Sequence, residues 1–424
     1  MIRQIEYPNK EKWPELTVRP EFEKAQLDEQ VQNILNAVRW DGDKALRKFS
    51  LQFDGVELDE LEVSPKELEE AQIDSELEAA IKLAKKNIEQ FHSNQSLNEA
   101  PVETLPGVRC WRKQLPIEKV GLYIPGGTAP LFSTVLMLGI PAKLAGCSEI
   151  ILCTPPGNDG TINPVILFTA RLVGINRIFK IGGAQAIAAM AYGTSSVPEV
   201  YKIFGPGNQF VTKAKEIIQV DGTAIDMPAG PSELLVIADR SCRADFVAAD
   251  LLSQAEHGED SQVVLLSNCS ETIKKIQVEL AGQLEQLPRK EMAAKALENS
   301  LSILFKTLDD CIQFSNMYAP EHLIIATENN NRLVDQIQSA GSVFLGNYSC
   351  ESVGDYASGT NHTLPTNGYA RAYSGVSLDS FVKKITFQEL NEEGIQSIGP
   401  AIEKMAEAEQ LFAHKNAVSL RLKQ

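Results

Sequence analysis

The sequence predicts an α/β protein with two Rossmann-like parallel-sheet domains in tandem and helical extensions at both ends. Four short β-rich segments end in glycine or proline, and they begin at Val120, Ile150, Ile178 and Val200. Their starts are 30, 28 and 22 residues apart, roughly the length of a βαβ unit. A second series alternates with helical stretches in the same way, and its strands begin at Leu234, Val263, His322 and Ser342. Such alternation is typical of parallel sheets.

Helical patterns flank the two strand series. Leu77, Ile81, Ala84 and Ile88 recur at spacings of three and four residues, which is typical of one helix face. Beyond about Leu378 the pattern is helical again. We therefore predict four parts: a helical N-terminal region packing on the core at 1–119, a first α/β domain at 120–232, a second α/β domain at 233–378, and a helical C-terminal tail at 379–424.

Composition limits the class of protein. The chain has 424 residues, 43% of them hydrophobic, and a formal net charge of -16. This charge, without any basic run, argues against a nucleic-acid or anionic-membrane partner. The longest largely apolar segment, at 131–138, is far too short to span a bilayer. Seven cysteines without a C-x-x-C pair favour a reducing compartment. We therefore expect a soluble, cytoplasmic protein.

Histidine is scarce, and four of the five histidines lie in short polar contexts. These four are His257, His322, His362 and His414. Imidazole is a common transition-metal ligand and titrates near neutral pH, so the four positions indicate metal chemistry, proton transfer or both. The fifth, His92, lies in a helical pattern without a polar partner nearby in the sequence, and we interpret it as structural.

Glycine-rich turns follow three strands of the first series. The turns are Tyr123-Ile-Pro-Gly126-Gly127, Gly182-Gly183-Ala-Gln185 and Gly205-Pro-Gly207-Asn208. Turns without Cβ atoms allow the backbone and a helix N-terminus to approach a phosphate at the carboxyl ends of strands. None of them is the G-x-G-x-x-G motif, and each alone is equally compatible with a simple tight turn. Together they favour a nucleotide site.

Two polar pairs belong to the second series. Gln254 and His257 are three residues apart in a helical pattern, so both can grip one ion; a solvated helix end is the alternative. Glu321 and His322 begin a strand, where neighbours normally point to opposite faces. They can serve one substrate only if Pro320 places them in a turn, and the pair then suits general acid–base catalysis. An exposed strand start is its alternative.

Two further segments complete the set of polar motifs. The glycine-rich stretch from Gly354 to Pro365 contains Asp355 and His362, and its density of polar groups favours a functional loop. Glu409 and His414 are five residues apart, about 140° from sharing a face on a regular helix. Both reach one pocket only if the helix ends near Phe412. From spacing alone, a structural role is the stronger interpretation of this pair.

A cysteine offers a rival mechanism. Cys153 ends a strand before Pro155-Pro156, where a thiolate could attack an aldehyde to form a thiohemiacetal. A buried cysteine acting as a small hydrophobic residue is the simpler interpretation.

These motifs together resemble the histidinol dehydrogenase family. The resemblance is carried by Asp226-Met-Pro-Ala-Gly-Pro-Ser232-Glu, Asp250-Leu-Leu-Ser-Gln-Ala-Glu-His257-Gly, Pro320-Glu-His-Leu, Gly354-Asp-Tyr-Ala-Ser-Gly-Thr-Asn-His and Ala413-His-Lys-Asn-Ala-Val-Ser-Leu-Arg. It runs from about residue 38 to residue 421. It implies zinc-dependent oxidation of L-histidinol to L-histidine through an aldehyde with two NAD, the last step of histidine biosynthesis.

The resemblance also implies roles for individual residues. Zinc would be bound by Gln254, His257, Asp355 and His414. Glu321 would activate water, and His322 would be the general base. The substrate would contact the four zinc ligands and His322 together with Ser232, His362 and Glu409. NAD would contact Tyr123, Gln185 and Asn208 in the first α/β domain. The family's enzymes are homodimers, so the tail would carry Glu409 and His414 into the partner's site.

Two other functions stay open at this point. One is a zinc alcohol dehydrogenase of another substrate class that stops at the aldehyde; Glu321-His322 argues against it, because a one-step oxidation needs no water activation. The other is a non-catalytic nucleotide- or metal-binding protein with the same fold.

Overall fold

The computed structural model describes residues 2–19, 25–96, 99–126 and 130–423. Gly127, part of a predicted glycine turn, lies outside the described residues. The N-terminal part contains two strands after its helices as well as one before them. Its elements are β1 (Arg3–Glu6), α1 (Trp13–Leu16), α2 (Ala25–Asp41), α3 (Asp43–Phe49), α4 (Pro65–Glu70), α5 (Ser75–Ser93), β2 (Val102–Leu105) and β3 (Val108–Pro116).

The first parallel sheet follows. Its elements are β4 (Lys119–Tyr123), α6 (Phe132–Ala145), β5 (Glu149–Thr154), α7 (Pro164–Leu172), β6 (Arg177–Lys180), α8 (Gly183–Tyr192), β7 (Lys202–Phe204), α9 (Gln209–Val220) and β8 (Ala224–Ile225). The strand order is β6-β5-β4-β7-β8, and every pairing is parallel. Numbered within this sheet, the order is 3-2-1-4-5, as in a Rossmann fold. The order in which strands are added therefore reverses between β4 and β7, although the strands themselves stay parallel.

The second parallel sheet is built by the next part of the chain. Its elements are β9 (Glu233–Ala238), α10 (Ala244–Ala255), β10 (Gln262–Ser267), α11 (Ser270–Leu284), α12 (Lys290–Glu298), β11 (Leu301–Leu304), α13 (Leu308–Tyr318), β12 (His322–Ala326), α14 (Asn331–Val334), β13 (Ser342–Leu345) and α15 (Glu351–Tyr356). The strand order is β1-β11-β10-β9-β12-β13. The N-terminal strand β1 thus forms the edge of this sheet, pairing in parallel with β11.

The C-terminal part consists of β14 (Val382–Leu390), α16 (Glu392–Ala408) and α17 (Phe412–Leu422). Strand β14 pairs antiparallel with β3, and β3 pairs antiparallel with β2, which joins both ends of the chain in a third sheet.

Each parallel sheet is covered on both faces by apolar side chains. On the first sheet, α5, α6 and α7 pack on one face, and α2, α3, α8 and α9 pack on the other. The second sheet has two further clusters, one under α10, α11 and α12 and one under α13. Because both faces are buried, the strands are continuously hydrophobic, as in β9, which is buried along its whole length. None of the helices in the described part of the chain is long and apolar enough to cross a membrane.

The predicted fold class is confirmed, and all eight predicted strands are present. The sequence did not predict β1 or the antiparallel sheet, so the N-terminal and C-terminal parts are not purely helical as expected. Strand β14 is mostly exposed along both faces, and β3 mixes basic with apolar residues, so neither shows the alternation of buried and exposed positions that indicates a strand. The four domain limits stay predictions.

Candidate active site

Glu321 and His322 lie at the amino end of β12, in the second sheet. Ala319 ends α13 in a left-handed conformation with φ 56°, and Pro320 follows it. This turn brings the two neighbouring side chains to one side, with Glu321 Oε2 3.7 Å from His322 Nδ1. Both side chains are buried. The two side chains could serve one substrate only if the chain turned at Pro320, and it turns there.

The imidazole of His322 is surrounded by carboxylates. Its Nδ1 lies 3.8 Å from Glu351 Oε1, and its Nε2 lies 3.6 Å from Asp355 Oδ1. Burial alone would lower the pKa of His322, but the negative charges of Glu351, Glu321 and Asp355 outweigh burial and raise the pKa to about 10.

A hydrogen bond orients the same ring. His322 Nδ1 lies 3.3 Å from the carbonyl oxygen of Glu233, which can only accept, so Nδ1 carries a proton. Within the described residues Nε2 has no hydrogen-bond partner. His322 therefore presents Nε2 to the pocket for exchange of a proton.

The carboxylates differ in how strongly they hold protons. Burial is the largest influence on Glu321 and Glu351, and it raises their pKa values to about 7 and about 8. Burial acts on Asp355 in the same direction, but the imidazole of His322, whose Nε2 lies 3.6 Å from Asp355 Oδ1, outweighs it and lowers the pKa. Asp355 is thus the carboxylate that carries its charge most firmly.

Three side chains of this site can hold a metal ion. Ligand atoms of His257, Glu351 and Asp355 all lie within 4.8 Å of one another. Glu351 and Asp355 are one turn apart on α15, and His257 follows the end of α10. The carboxylate of Glu351 is 1% exposed, and no hydrogen-bond donor among the described residues reaches either oxygen. Unpaired buried oxygens beside an imidazole are a suitable environment for a divalent cation.

Gln254 adds a further unpaired group. It lies in the last turn of α10 and is 0% exposed. Neither its Oε1 nor its Nε2 has a hydrogen-bond partner in the part of the chain that the structure describes. An amide buried without partners is costly, and coordination through its oxygen would remove part of that cost. Of the four zinc ligands expected from the sequence, His257 and Asp355 belong to the group described above, and Gln254 lies three residues before His257 with its amide unpaired among the described residues.

The C-terminal tail does not join this cluster within one chain. Helix α16 ends at Ala408, and Gln410 has a left-handed φ of 58° before α17 begins at Phe412. A break between two helices thus separates Glu409 from His414, but α16 ends four residues before Phe412, and Phe412 begins a new helix. The side chains of Glu409 and His414 are both exposed. Among the described residues, His414 does not belong to the group of His257, Glu351 and Asp355 that could hold a metal ion.

His362 connects the second sheet to the first. Its Nδ1 donates to the carbonyl oxygen of Asp355 at 2.9 Å, and its Nε2 lies 3.1 Å from Thr134 Oγ1 on α6. Burial lowers the pKa of His362 below its ordinary value. Its neighbour Asn361 donates to the carbonyl oxygen of Met137 at 2.6 Å. Ser232, the other expected substrate contact, immediately precedes β9 and is partly buried.

The expected nucleotide contacts line one cavity at the carboxyl ends of β4, β6 and β7. A cavity of about 1270 Å³ is lined by Tyr123, Gln185 and Asn208, and also by residues of the N-terminal helices. The Tyr123 hydroxyl accepts a 3.0 Å hydrogen bond from the amide of Gly183. Asn208 Oδ1 caps α9 by accepting from the amides of Phe210 and Val211 at 3.1 and 3.2 Å. Two helix N-termini therefore face this cavity, an arrangement suited to a pyrophosphate.

Cys153 is unsuited to act as a nucleophile. It is fully buried in β5, and burial raises the pKa of its thiol far above the ordinary range. A protonated thiol without access to solvent cannot attack an aldehyde.

The sequence analysis missed three residues of the site. Glu351 is one turn before Asp355 on α15, but the segment was interpreted as a loop, so a spacing of four residues carried no meaning there. Glu233 and Arg19 form a buried ion pair beside Glu321 and His322, and the two residues of this ion pair are 214 residues apart in sequence. Pairing over such a distance leaves no local signal.

Comparison with known proteins identifies the family. A sequence model of the family described as histidinol dehydrogenase matches residues 17–422. A histidinol dehydrogenase of Bacteroides thetaiotaomicron is 59% identical over 424 residues, covering 100% of this chain and 99% of the relative. One from Escherichia coli is 52% identical over 413 residues, covering 96% and 94%.

Solved structures give the same result. The crystal structure of histidinol dehydrogenase from Elizabethkingia anophelis superposes with a TM-score of 0.98 at 57% identity, covering 100% of this chain and 98% of that one. An acetylating aldehyde dehydrogenase from Geobacillus thermoglucosidasius, at 13% identity and a TM-score of 0.51, shares the fold alone. By its sequence and its structure, this chain is a dehydrogenase that belongs to the histidinol dehydrogenase family.

Proposed function

We propose that the protein catalyses the zinc-dependent oxidation of L-histidinol to L-histidine through L-histidinal with two NAD, the last step of histidine biosynthesis. The observation that carries this proposal is the buried Glu321-His322 pair beside the group of His257, Glu351 and Asp355, whose ligand atoms could hold a metal ion. Family membership indicates the substrate, because the relatives are named histidinol dehydrogenases.

Gln254, His257, Asp355 and His414 would hold the zinc ion. The bound cation would orient the imidazole and amine of histidinol, and its charge would offset the carboxylates that raise the pKa of His322. Ser232, His362 and Glu409 would add contacts to the substrate, alongside the zinc ligands and His322. Fixing the substrate in this way aligns its hydroxyl-bearing carbon for hydride transfer.

His322 would act as the general base in both oxidations. Its Nδ1 is committed to the Glu233 carbonyl, so Nε2 is the atom that takes the proton from the alcohol as hydride leaves the carbon for NAD. Glu321 would then remove a proton from water as the water oxygen adds to the aldehyde carbon, and protonated His322 would return its proton to the former carbonyl oxygen, which restores His322 as a base. The hydrate loses a proton to His322 and a second hydride to a second NAD, which gives the carboxylic acid.

NAD would bind in the cavity at the carboxyl ends of β4 and β7. Tyr123, Gln185 and Asn208 line it, and its volume suits a dinucleotide better than a single small substrate. The N-termini of α8 and α9 would receive the pyrophosphate.

We further propose a cytoplasmic homodimer in which the tail of one subunit completes the site of the other. Exposed apolar side chains on α16 and α17, including Met405 and Phe412, would be covered by the partner. His414 and Glu409 would then reach the other subunit's cluster. The free cysteines are compatible with a reducing compartment.

The proposal is tested by the yield of NADH per L-histidinol in substrate-limited reactions, before and after chelator treatment and after adding zinc back. We expect two NADH per substrate, loss of the reaction with the metal and recovery with zinc. One NADH per substrate would indicate an alcohol dehydrogenase that stops at the aldehyde. No NADH from histidinol would reject the proposal and favour a non-catalytic binding role or another substrate.

A further inference from the structure

The dinucleotide-type cavity differs from an ordinary Rossmann site in one respect. In that fold an acidic side chain beyond the first glycine turn commonly binds the ribose hydroxyls of the adenosine half. Here β5, the second strand of the 3-2-1-4-5 order, ends at Thr154 and continues as Pro155-Pro156-Gly157. The residues directly after this strand therefore offer no carboxylate to a ribose.

A carboxylate comes instead from the N-terminal region. Asp54 ends a short π-helical turn, Ser50–Asp54, that follows α3, and it lines the cavity together with Tyr123. The negative charge of Asp54 acts on the Tyr123 hydroxyl, where it adds to burial in raising the pKa of Tyr123 to about 12. Asp54 is thus close to the end of β4, the strand at the centre of the sheet.

The Asp54 side chain lacks a partner. Its Oδ2 is buried, and no hydrogen-bond donor within the described ranges reaches that atom. Burial raises the pKa of Asp54 to about 6, so the group is still mostly ionised above neutral pH. A buried, charged oxygen without a donor is costly unless a ligand supplies one.

The rest of the cavity wall is also without positive side chains. Among the lining residues that the structure describes there is no lysine or arginine, and the second carboxylate of the wall is Asp159. Asp159 is exposed, and its Oδ1 accepts from the amide and hydroxyl of Thr161 at 3.0 and 2.8 Å. Of the two carboxylates, Asp54 is therefore the one that is free to bind a ligand.

We infer that Asp54 accepts hydrogen bonds from the ribose hydroxyls of the adenosine half of the dinucleotide and thereby selects NAD over NADP. The inference rests on the proposed function, since it assumes that the cavity holds a nicotinamide dinucleotide. A ribose 2′-hydroxyl supplies the donor that Asp54 lacks. A 2′-phosphate, with a charge between about -1.5 and -2, would meet a carboxylate and no cation.

The test compares kcat/KM for NAD and for NADP, at saturating L-histidinol, in the wild type and in Asp54→Asn and Asp54→Ser. Asp159→Asn is the matched control, because it also removes one carboxylate from the cavity wall. We expect the wild type to prefer NAD strongly. Each Asp54 variant should lose about tenfold in kcat/KM for NAD, with no loss for NADP, so the NAD/NADP ratio falls at least tenfold. Asp159→Asn should leave the ratio within about twofold of wild type.

Binding of NADH and NADPH, followed by their fluorescence on titration with protein, gives a second measurement that does not depend on turnover. In the Asp54 variants, the ratio of the NADPH dissociation constant to the NADH dissociation constant should fall by the same factor as the NAD/NADP ratio of kcat/KM. A ratio unchanged in both Asp54 variants, an equal change in Asp159→Asn, or a wild type that uses NADP as well as NAD would overturn the inference and leave the proposed function standing. A wild type that oxidises histidinol with neither dinucleotide would overturn both.

Discussion

The backbone amide of Glu233 donates a 2.9 Å hydrogen bond to Glu321 Oε2, while the carbonyl oxygen of the same residue accepts from His322 Nδ1 at 3.3 Å. One residue outside the predicted catalytic pair thus fixes both of its members. The Glu233 carboxylate is in turn held by Arg19, whose Nε and Nη2 donate to it at 2.8 and 2.9 Å. Arg19 Nη2 also donates to the carbonyl oxygen of Tyr318 at 2.7 Å, three residues before Glu321. Arg19 therefore ties together the two segments that carry the pair.

Replacing Arg19 should disturb catalysis through this tie. In Arg19→Ala the Glu233 carboxylate, 1% exposed, would lose the positive charge that pairs with it and keep the backbone amide of Asn367 as a donor; breaking a buried ion pair in this way costs about 3 to 5 kcal/mol of stability. We expect kcat to fall about a hundredfold, because small displacements of reacting groups are expensive. Added guanidinium should restore part of the activity, since it can occupy the space and pair with Glu233.

Arg371→Ala is the matched control for this prediction. Arg371 is also an arginine that donates to a carbonyl oxygen at the end of α13, that of Met317, but it is exposed. Its removal should leave kcat near the wild-type value and make activity insensitive to guanidinium. A folded Arg19→Ala enzyme with normal kcat, or one that guanidinium does not rescue, would contradict the positioning role.

Replacing Glu321 should separate the two oxidations. In Glu321→Gln the amide oxygen can still accept from the Glu233 amide, so the turn should persist, but the side chain can no longer take a proton from water. We expect the first hydride transfer to continue and the second to be lost. Stopped-flow absorbance of NADH in a single turnover should show about one NADH per site, half the wild-type yield, because only the step that needs water fails. Equal loss of both transfers, or of neither, would argue against the assigned role.

Much of this fold could be predicted from the sequence, and the reason is burial. Strands such as β9 and β12 are covered on both faces, so they are continuous apolar runs bounded by polar turns. The exposed strands β3 and β14 lack that signal. The site residues likewise differ in how well the sequence reveals them. His257 and His322 can be recognised in short motifs, whereas Glu351 can be recognised as a site residue only once α15 is known to be a helix. The Arg19–Glu233 pair required the folded chain, because contacts over such a separation have no periodicity.

The stability of the protein should depend on pH through Asp54. Its pKa is raised to about 6 in the folded state from an ordinary value of 3.8, so the folded protein binds the proton more tightly than the unfolded chain does. The wild type therefore loses stability as pH rises from about 4 to 6, and the loss is constant above that range. Asparagine is neutral at every pH. Asp54→Asn should match the wild-type melting temperature near pH 4 and exceed it above pH 6, as measured calorimetrically on ligand-free protein.

Asp159→Asn provides a control of opposite sign. Hydrogen bonds from Thr161 lower the pKa of Asp159, so its carboxylate contributes stability that is present above its ordinary titration range and lost in acid. This variant should melt at or below the wild-type temperature at neutral pH. If both variants shift in the same direction, burial of Asp54 is not the cause of the effect.

Mixing two variants that each fail to form L-histidine should reveal whether the tail acts between subunits, with L-histidine formation as the measured activity. Glu321→Gln removes a group from the second sheet, and His414→Ala removes one from α17, whose residues are exposed in the single chain. If His414 serves the partner's site, a mixed dimer contains one doubly defective site and one site with both residues intact. Random exchange makes about half of the dimers mixed, so activity should recover to about a quarter of wild type. If His414 serves its own chain, every site carries one substitution and mixing restores nothing.

Each variant alone, unfolded and refolded in the same way, is the control for activity gained by the procedure. Recovery that grows with the fraction of mixed dimers, measured by native mass spectrometry, can arise only from a site shared between two chains.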